Sequence, residues 1–118
     1  MNVPSPVAED DFSALLELLD KDTMRDVVGI FIASAPERLA SARRGLAAGD
    51  GTIAATAFHA MRSGCGQLGA RRLEEMCATG ERLSRHGDLA GASERLAAAA
   101  EEFEHCRTWF RTNGWLNA

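Results

Sequence analysis

Apolar side chains recur along this chain at helical spacing. The clearest series is Leu89, Ala92, Leu96, Ala99, Phe103, Cys106 and Phe110, spaced alternately by three and four residues for three heptads, which predicts a helix over 89–111 capped by Asp88. At 1.5 Å per residue that helix is roughly 34 Å long, the length of a four-helix bundle. Ile53, Ala57, Met61, Gly64 and Leu68 mark a preceding helix, opened by Asp50 and ended by Gly69. Between these two, Leu73, Met76, Cys77, Gly80 and Leu83 mark a helix that ends at His86-Gly87. Upstream, Phe12, Leu15, Leu16, Leu18 and Leu19 follow Asp10-Asp11 and predict a short acid-capped helix that closes one end of a core. Asp22 is the expected cap of a long helix through Met24, Val27, Val28, Phe31 and Ile32, then Leu39, Ala42 and Leu46, stopping at Gly49. Pro36 falls inside that series. It lacks a backbone donor and crowds the preceding turn, so the helix either kinks near Ile32 to Ala35 or restarts there with Ser34 as a cap. Short connections make the last three helices antiparallel neighbours. The expected architecture is all-α, an antiparallel four-helix bundle with a short extra N-terminal helix, with 1–8 as leader, 9–114 as the bundle domain and 115–118 as tail.

Composition narrows the class further. A length of 118 residues with 46% hydrophobic and 25% charged side chains suits one domain with one core. Twenty-one alanines, three prolines and no tyrosine favour packed helices over a barrel or a doubly wound sheet. The longest apolar run, Val27 to Ala33, has seven residues, against roughly 20 needed to cross a bilayer. The opening Met-Asn-Val-Pro-Ser-Pro lacks the basic and then apolar pattern of a signal peptide, so a cytoplasmic location without membrane insertion is expected. Cys65, Cys77 and Cys106 are odd in number and show no Cys-x-x-Cys spacing, which favours packed, reduced thiols over a disulfide framework or a zinc site. A net charge of −4 argues against nucleic-acid binding. The charge is uneven: residues 51–86 carry five basic and three acidic groups, whereas 1–50 carry five and nine, and 87–118 carry three and five. Anion chemistry is therefore sought first in the middle segment.

That segment contains His59. At 100° per residue, with Ile53 at zero, Ala57, Met61, Gly64 and Leu68 fall at about 40°, 80°, 20° and 60°, whereas His59 falls at about 240°. Around it stand Arg62, Ala55, Gly66, Thr52 and Ser63, at about 180°, 200°, 220°, 260° and 280°. The helix thus turns an imidazole and a patch of small residues to solvent, where Glu, Lys or Gln would be better helix formers. The patch is either a place where another protein comes close to His59 or a plain consequence of an Ala-rich composition. Helical neighbours Ala55, Thr56, Arg62 and Ser63 supply no carboxylate for a hydrolytic triad and no second metal ligand, so no metal site is expected. What remains is the imidazole as nucleophile, neutral enough near pH 7 to attack without a dedicated base, beside an arginine suited to phosphoryl oxygens.

Phe58 and His59-Ala-Met-Arg62-Ser-Gly-Cys-Gly-Gln-Leu68-Gly69-Ala70, followed by Leu73, Cys77, Glu81, Leu83, Arg85 and Gly87-Asp88, resemble the histidine-containing phosphotransfer (HPt) domain of two-component phosphorelays. The upstream Phe31, Pro36 and Leu39 spacing and the Gly49-Asp50 turn resemble it too. The resemblance implies that His59 takes a phosphoryl group from a receiver-domain aspartyl phosphate and passes it to another receiver. It implies that Arg62, in place of the usual lysine, and Ser63 support the phosphate, and that Glu81 and Arg85 lie across from His59 at the docking rim. Ala55 and Gly66 of the small-residue patch are the further expected docking positions. The chain departs from the family in having Ser63 then Gly64 where Gly then Ser is common, and Glu81 where some members have Gln. No Walker loop or kinase motif is present, so the expected protein is a carrier and not an enzyme, a monomer without cofactor, whose partner receivers supply the divalent metal and the acidic pocket. Its setting is a separate protein or the C-terminal domain of a membrane-bound hybrid sensor kinase. The competing class is a helical interaction module that uses the same patch without phosphorylation. His86 is expected to complement a helix end, His105 to be a helix-edge residue, and Trp109 and Trp115 to pack the last helix on the first.

Overall fold

A computed structural model describes residues 5–116; the first four residues of the expected leader, with most of the opening segment read for a signal, and the last two of the tail lie outside the described residues. Five helices follow one another, α1 (Glu9–Leu18), α2 (Lys21–Ala47), α3 (Gly51–Leu68), α4 (Arg71–Arg85) and α5 (Leu89–Thr112), and no strand occurs among the described residues. Three of the four longer helices begin where an aspartate can serve the orphan amides of a first turn. Asp20 accepts from the Thr23 amide at 2.7 Å, Asp50 from Ile53 at 3.1 Å and Asp88 from Gly91 at 2.9 Å. Asp22, the expected cap of α2, lies inside its first turn, because Asp20 is the residue that retains the extended conformation a cap requires. The start of α1 also differs from expectation. Glu9, Asp10 and Asp11 occupy the first turn and favour the dipole, but no side chain caps the helix.

The connections Ala48–Asp50, Gly69–Ala70 and His86–Asp88 turn the chain back at once, with Gly49, Gly69 and Gly87 at positive φ. α2 packs on α3, α3 on α4, α4 on α5, and α5 returns to α2, so the four long helices close a ring around one core. α2 runs unbroken through Pro36, and Ser34 bonds back to the Phe31 carbonyl at 3.4 Å instead of capping a second helix. Of the two alternatives, the restart is thereby excluded.

Every position of the α5 series from Ala92 to Phe110 is buried. Phe31 meets Phe103 edge-on with centroids 5.8 Å apart, and Phe12 from α1 sits between Trp109 and Trp115 at 5.4 and 5.1 Å, so α1 does close one end of the core. The packed body reaches beyond α1 to Val7, which is fully buried, and the Ala8 amide donates to the Gly69 carbonyl at 2.7 Å. All three cysteines are free and buried; burial, with Glu102 nearby, pushes the Cys106 thiol up to about 12. No described helix is long and apolar enough to cross a membrane.

Candidate functional site

α3 is flanked by α2 and α4, and this sets which of its faces is wet. Ala54, Ala57, Phe58, Met61, Cys65 and Leu68 are buried, an arc rotated by about 50° from the stripe counted from Ile53. Ile53, expected in the core, is 46% exposed as a result. Ala55, expected on the docking surface, is fully buried, because α4 covers that flank of α3. His59 therefore stands at the α4 edge of the exposed face and not opposite the core.

The approach of α4 depends on glycine. A Cβ on Gly80 would lie 2.6 Å from the ring of Phe58, and a Cβ on Gly51 would lie 2.2 Å from the Ser84 carbonyl oxygen. These contacts bring the residue after Phe58, His59, against the residue after Gly80, Glu81. The His59 Nδ1 is 3.2 Å from each Glu81 carboxylate oxygen. The Arg62 Nη1 donates to Oε1 at 3.2 Å, and Arg85 donates to Oε2 through Nη2 at 3.1 Å and Nε at 3.3 Å. Glu81 is 12% exposed, whereas the side chains of His59, Arg62 and Arg85 are about half exposed at 58%, 45% and 53%.

A carboxylate only accepts, so the Nδ1 facing it carries a proton, and in the neutral ring Nε2 is the nitrogen with the free lone pair. Burial pushes the Glu81 carboxyl up, but hydrogen bonds from Arg85 and His59 outweigh it and hold the group below its usual range. One carboxylate and two guanidiniums give the cluster a net charge of +1 before the imidazole is counted. The negative charge of Glu81 thus does not oppose an anion; it is already overcompensated. The helical neighbours of His59 include no acid, because the carboxylate that faces the ring comes from the next helix.

Of the other expected site residues, Ser63 donates its hydroxyl to the His59 carbonyl at 3.3 Å and is not turned toward the imidazole. Gly66 is exposed two turns along, beside the Glu74 carboxylate. Sequence reading missed the apolar flank on the other side of α3. There Ile30, 68% exposed, borders a groove with Val27, Ala60, Gly64 and Gln67. Gly64 opens that groove by leaving room for Phe31, whose ring would lie 3.1 Å from a Cβ. Among the described residues, no group of three or more His, Cys, Asp or Glu side chains is arranged to hold a metal ion.

A solved structure shows the same arrangement of helices. A crystal structure of histidine-containing phosphotransfer protein B from Pseudomonas aeruginosa PAO1 is similar over 95% of this chain and 96% of its own, with a TM-score of 0.87 and 25% sequence identity. No curated protein matches the chain in sequence. The family model of the Hpt domain matches residues 26–109, which span α2 to α5 and hold His59, Arg62, Glu81 and Arg85. The chain belongs to the Hpt domain family, the histidine-containing phosphotransfer domains of phosphorelays.

Proposed function

We propose that His59 is the phosphoacceptor and that Nε2 is the atom that carries the phosphoryl group. The observation that supports this reading is the Glu81 carboxylate against Nδ1, which selects the tautomer with Nε2 unprotonated and turned outward. Nε2 forms its bond to phosphorus as the bond from phosphorus to the receiver's aspartyl oxygen breaks, and the aspartate leaves as carboxylate. Transfer to a second receiver is the reverse. Charge building on Nδ1–H is stabilised by Glu81, much as a buried carboxylate stabilises an imidazolium elsewhere. The Arg62 guanidinium has N–H donors beyond the one on Glu81 and neutralises phosphoryl oxygens. Ser63 can turn its hydroxyl from the His59 carbonyl to the same oxygens, and Arg85 and Gly66 lie on the rim that a receiver covers. The receiver supplies the divalent metal and the acidic pocket, and the chain acts as a monomeric cytoplasmic carrier without cofactor.

Incubation with a phosphorylated receiver domain tests this reading. Acid-labile, base-stable label is expected on the wild type and absent from His59→Gln. Binding of the receiver without label on either protein would establish instead an interaction module that uses the same face.

A further inference from the structure

A second imidazole in this molecule is held as His59 is. His105, on α5, has its Nδ1 3.2 Å from the Oε1 of Glu102, and its side chain is 58% exposed, the same fraction as that of His59. Glu102 is deeper than Glu81, at 3% exposed, and Arg72 of α4 brings Nη1 to 3.5 Å from the same oxygen. The other Glu102 oxygen is buried without a hydrogen-bond partner among the described residues, so the stabilisation of this carboxylate is concentrated on Oε1, where the Nδ1–H of His105 is the nearer of the two contacts. That fixes the tautomer with Nε2 free. A buried carboxylate, an arginine on it and a half-exposed imidazole with a free Nε2 thus occur twice. The surroundings differ. Glu81 carries two arginines, whereas Glu102 carries one and His105 has Glu101 one turn before it and Trp109 one turn after.

We propose that His105 is a second phosphoacceptor, open to small phosphoryl donors such as phosphoramidate or an acyl phosphate and closed to receiver domains. With phosphoramidate, Nε2 forms the bond to phosphorus, the phosphorus–nitrogen bond breaks, and its electron pair leaves on the already protonated nitrogen as ammonia. The Nδ1 proton stays between the ring and Glu102, so no further acid or base takes part. The higher negative charge and the indole beside His105 keep out a receiver but leave room for a phosphate-sized donor. The site does not depend on the role of His59.

Phosphoramidate labelling of wild type, His59→Gln, His105→Gln and the double variant, with the label mapped on peptides under alkaline conditions, tests the proposal. His59→Gln is expected to retain label at His105, and the double variant to lose it by at least about tenfold. His86, exposed at the end of α4 with no hydrogen bond from its ring among the described residues, is the internal control and stays unlabelled. Glu102→Gln, which withdraws the charge behind Nδ1, is expected to slow labelling of His105 at least threefold while His59 in the same molecules reacts as before and so reports an intact fold. A phosphorylated receiver is expected to label His59 alone. The proposal fails if His59→Gln takes no label, if His86 reacts as fast as His105, if Glu102→Gln leaves the rate at His105 unchanged, or if a receiver labels His105.

Discussion

The carboxyl of Glu81 accepts hydrogen bonds from His59, Arg62 and Arg85, and through them it sets the tautomer, the charge and the orientation of the site. Residue types near His59 in sequence pointed to an anion site, and the family resemblance placed Glu81 and Arg85 across from it. The pairing itself was not legible, because a glutamate on a mostly polar helix has no signature that distinguishes a buried ligand of imidazole from a solvated side chain. Its depressed acidity makes a test at this scale. A carboxyl held below its ordinary value near 4.3 contributes stability above that pH and loses it as pH falls through the lower folded value. Glu81→Gln is therefore expected to be less stable than wild type by about 1 kcal/mol at pH 7. The difference should hold down to about pH 5 and shrink toward zero below about pH 4. Urea titrations across that range measure it; a difference independent of pH would remove Glu81 from the ion network.

Among the helices, the boundaries were the most legible feature and the rotation of α3 the least. Asp50 and Asp88 as caps and Gly69 and Gly87 as stops are local chemistry, so they survive whatever the tertiary fold does. The face that α3 buries depends on two neighbouring helices, and small residues such as Ala55 fit a close interface as well as an open surface. The two kinds of glycine in these helices give opposite expectations for the same change. At Gly80 a new methyl group meets the fully buried ring of Phe58 at 2.6 Å, so Gly80→Ala is expected to destabilise by about 1–3 kcal/mol and, by separating α3 from α4, to slow phosphotransfer as well. At Gly29 a Cβ meets nothing within 4 Å in the interior of α2, so Gly29→Ala is expected to stabilise by up to about 1 kcal/mol with transfer unchanged. Chemical denaturation of both variants decides whether the glycine at the α3–α4 contact is structural.

For the whole molecule, the α5 stripe does most to specify the bundle, since its six buried apolar positions from Ala92 to Phe110 supply the wall against which α2 and α4 close. The regular spacing of that stripe is why the fold class could be read from sequence, whereas the burial of Val7 before α1 lies in a stretch with no periodicity to reveal it. Leu96, 5% exposed at mid-helix, is expected to cost about 2–5 kcal/mol when cut to alanine, through lost transfer energy and the cavity left behind. The folded fraction should keep normal transfer kinetics, and a cost below about 0.5 kcal/mol would show that the stripe is not the core. The division of the site between α3 and α4 has a consequence for signalling fidelity. An unfolded or half-synthesised copy carries His59 but not the carboxylate that faces it, so on the proposed reading it is expected to be a poor sink for phosphoryl groups. Damaged molecules would then drop out of the relay without draining it, and the flux through the circuit would count only folded carriers.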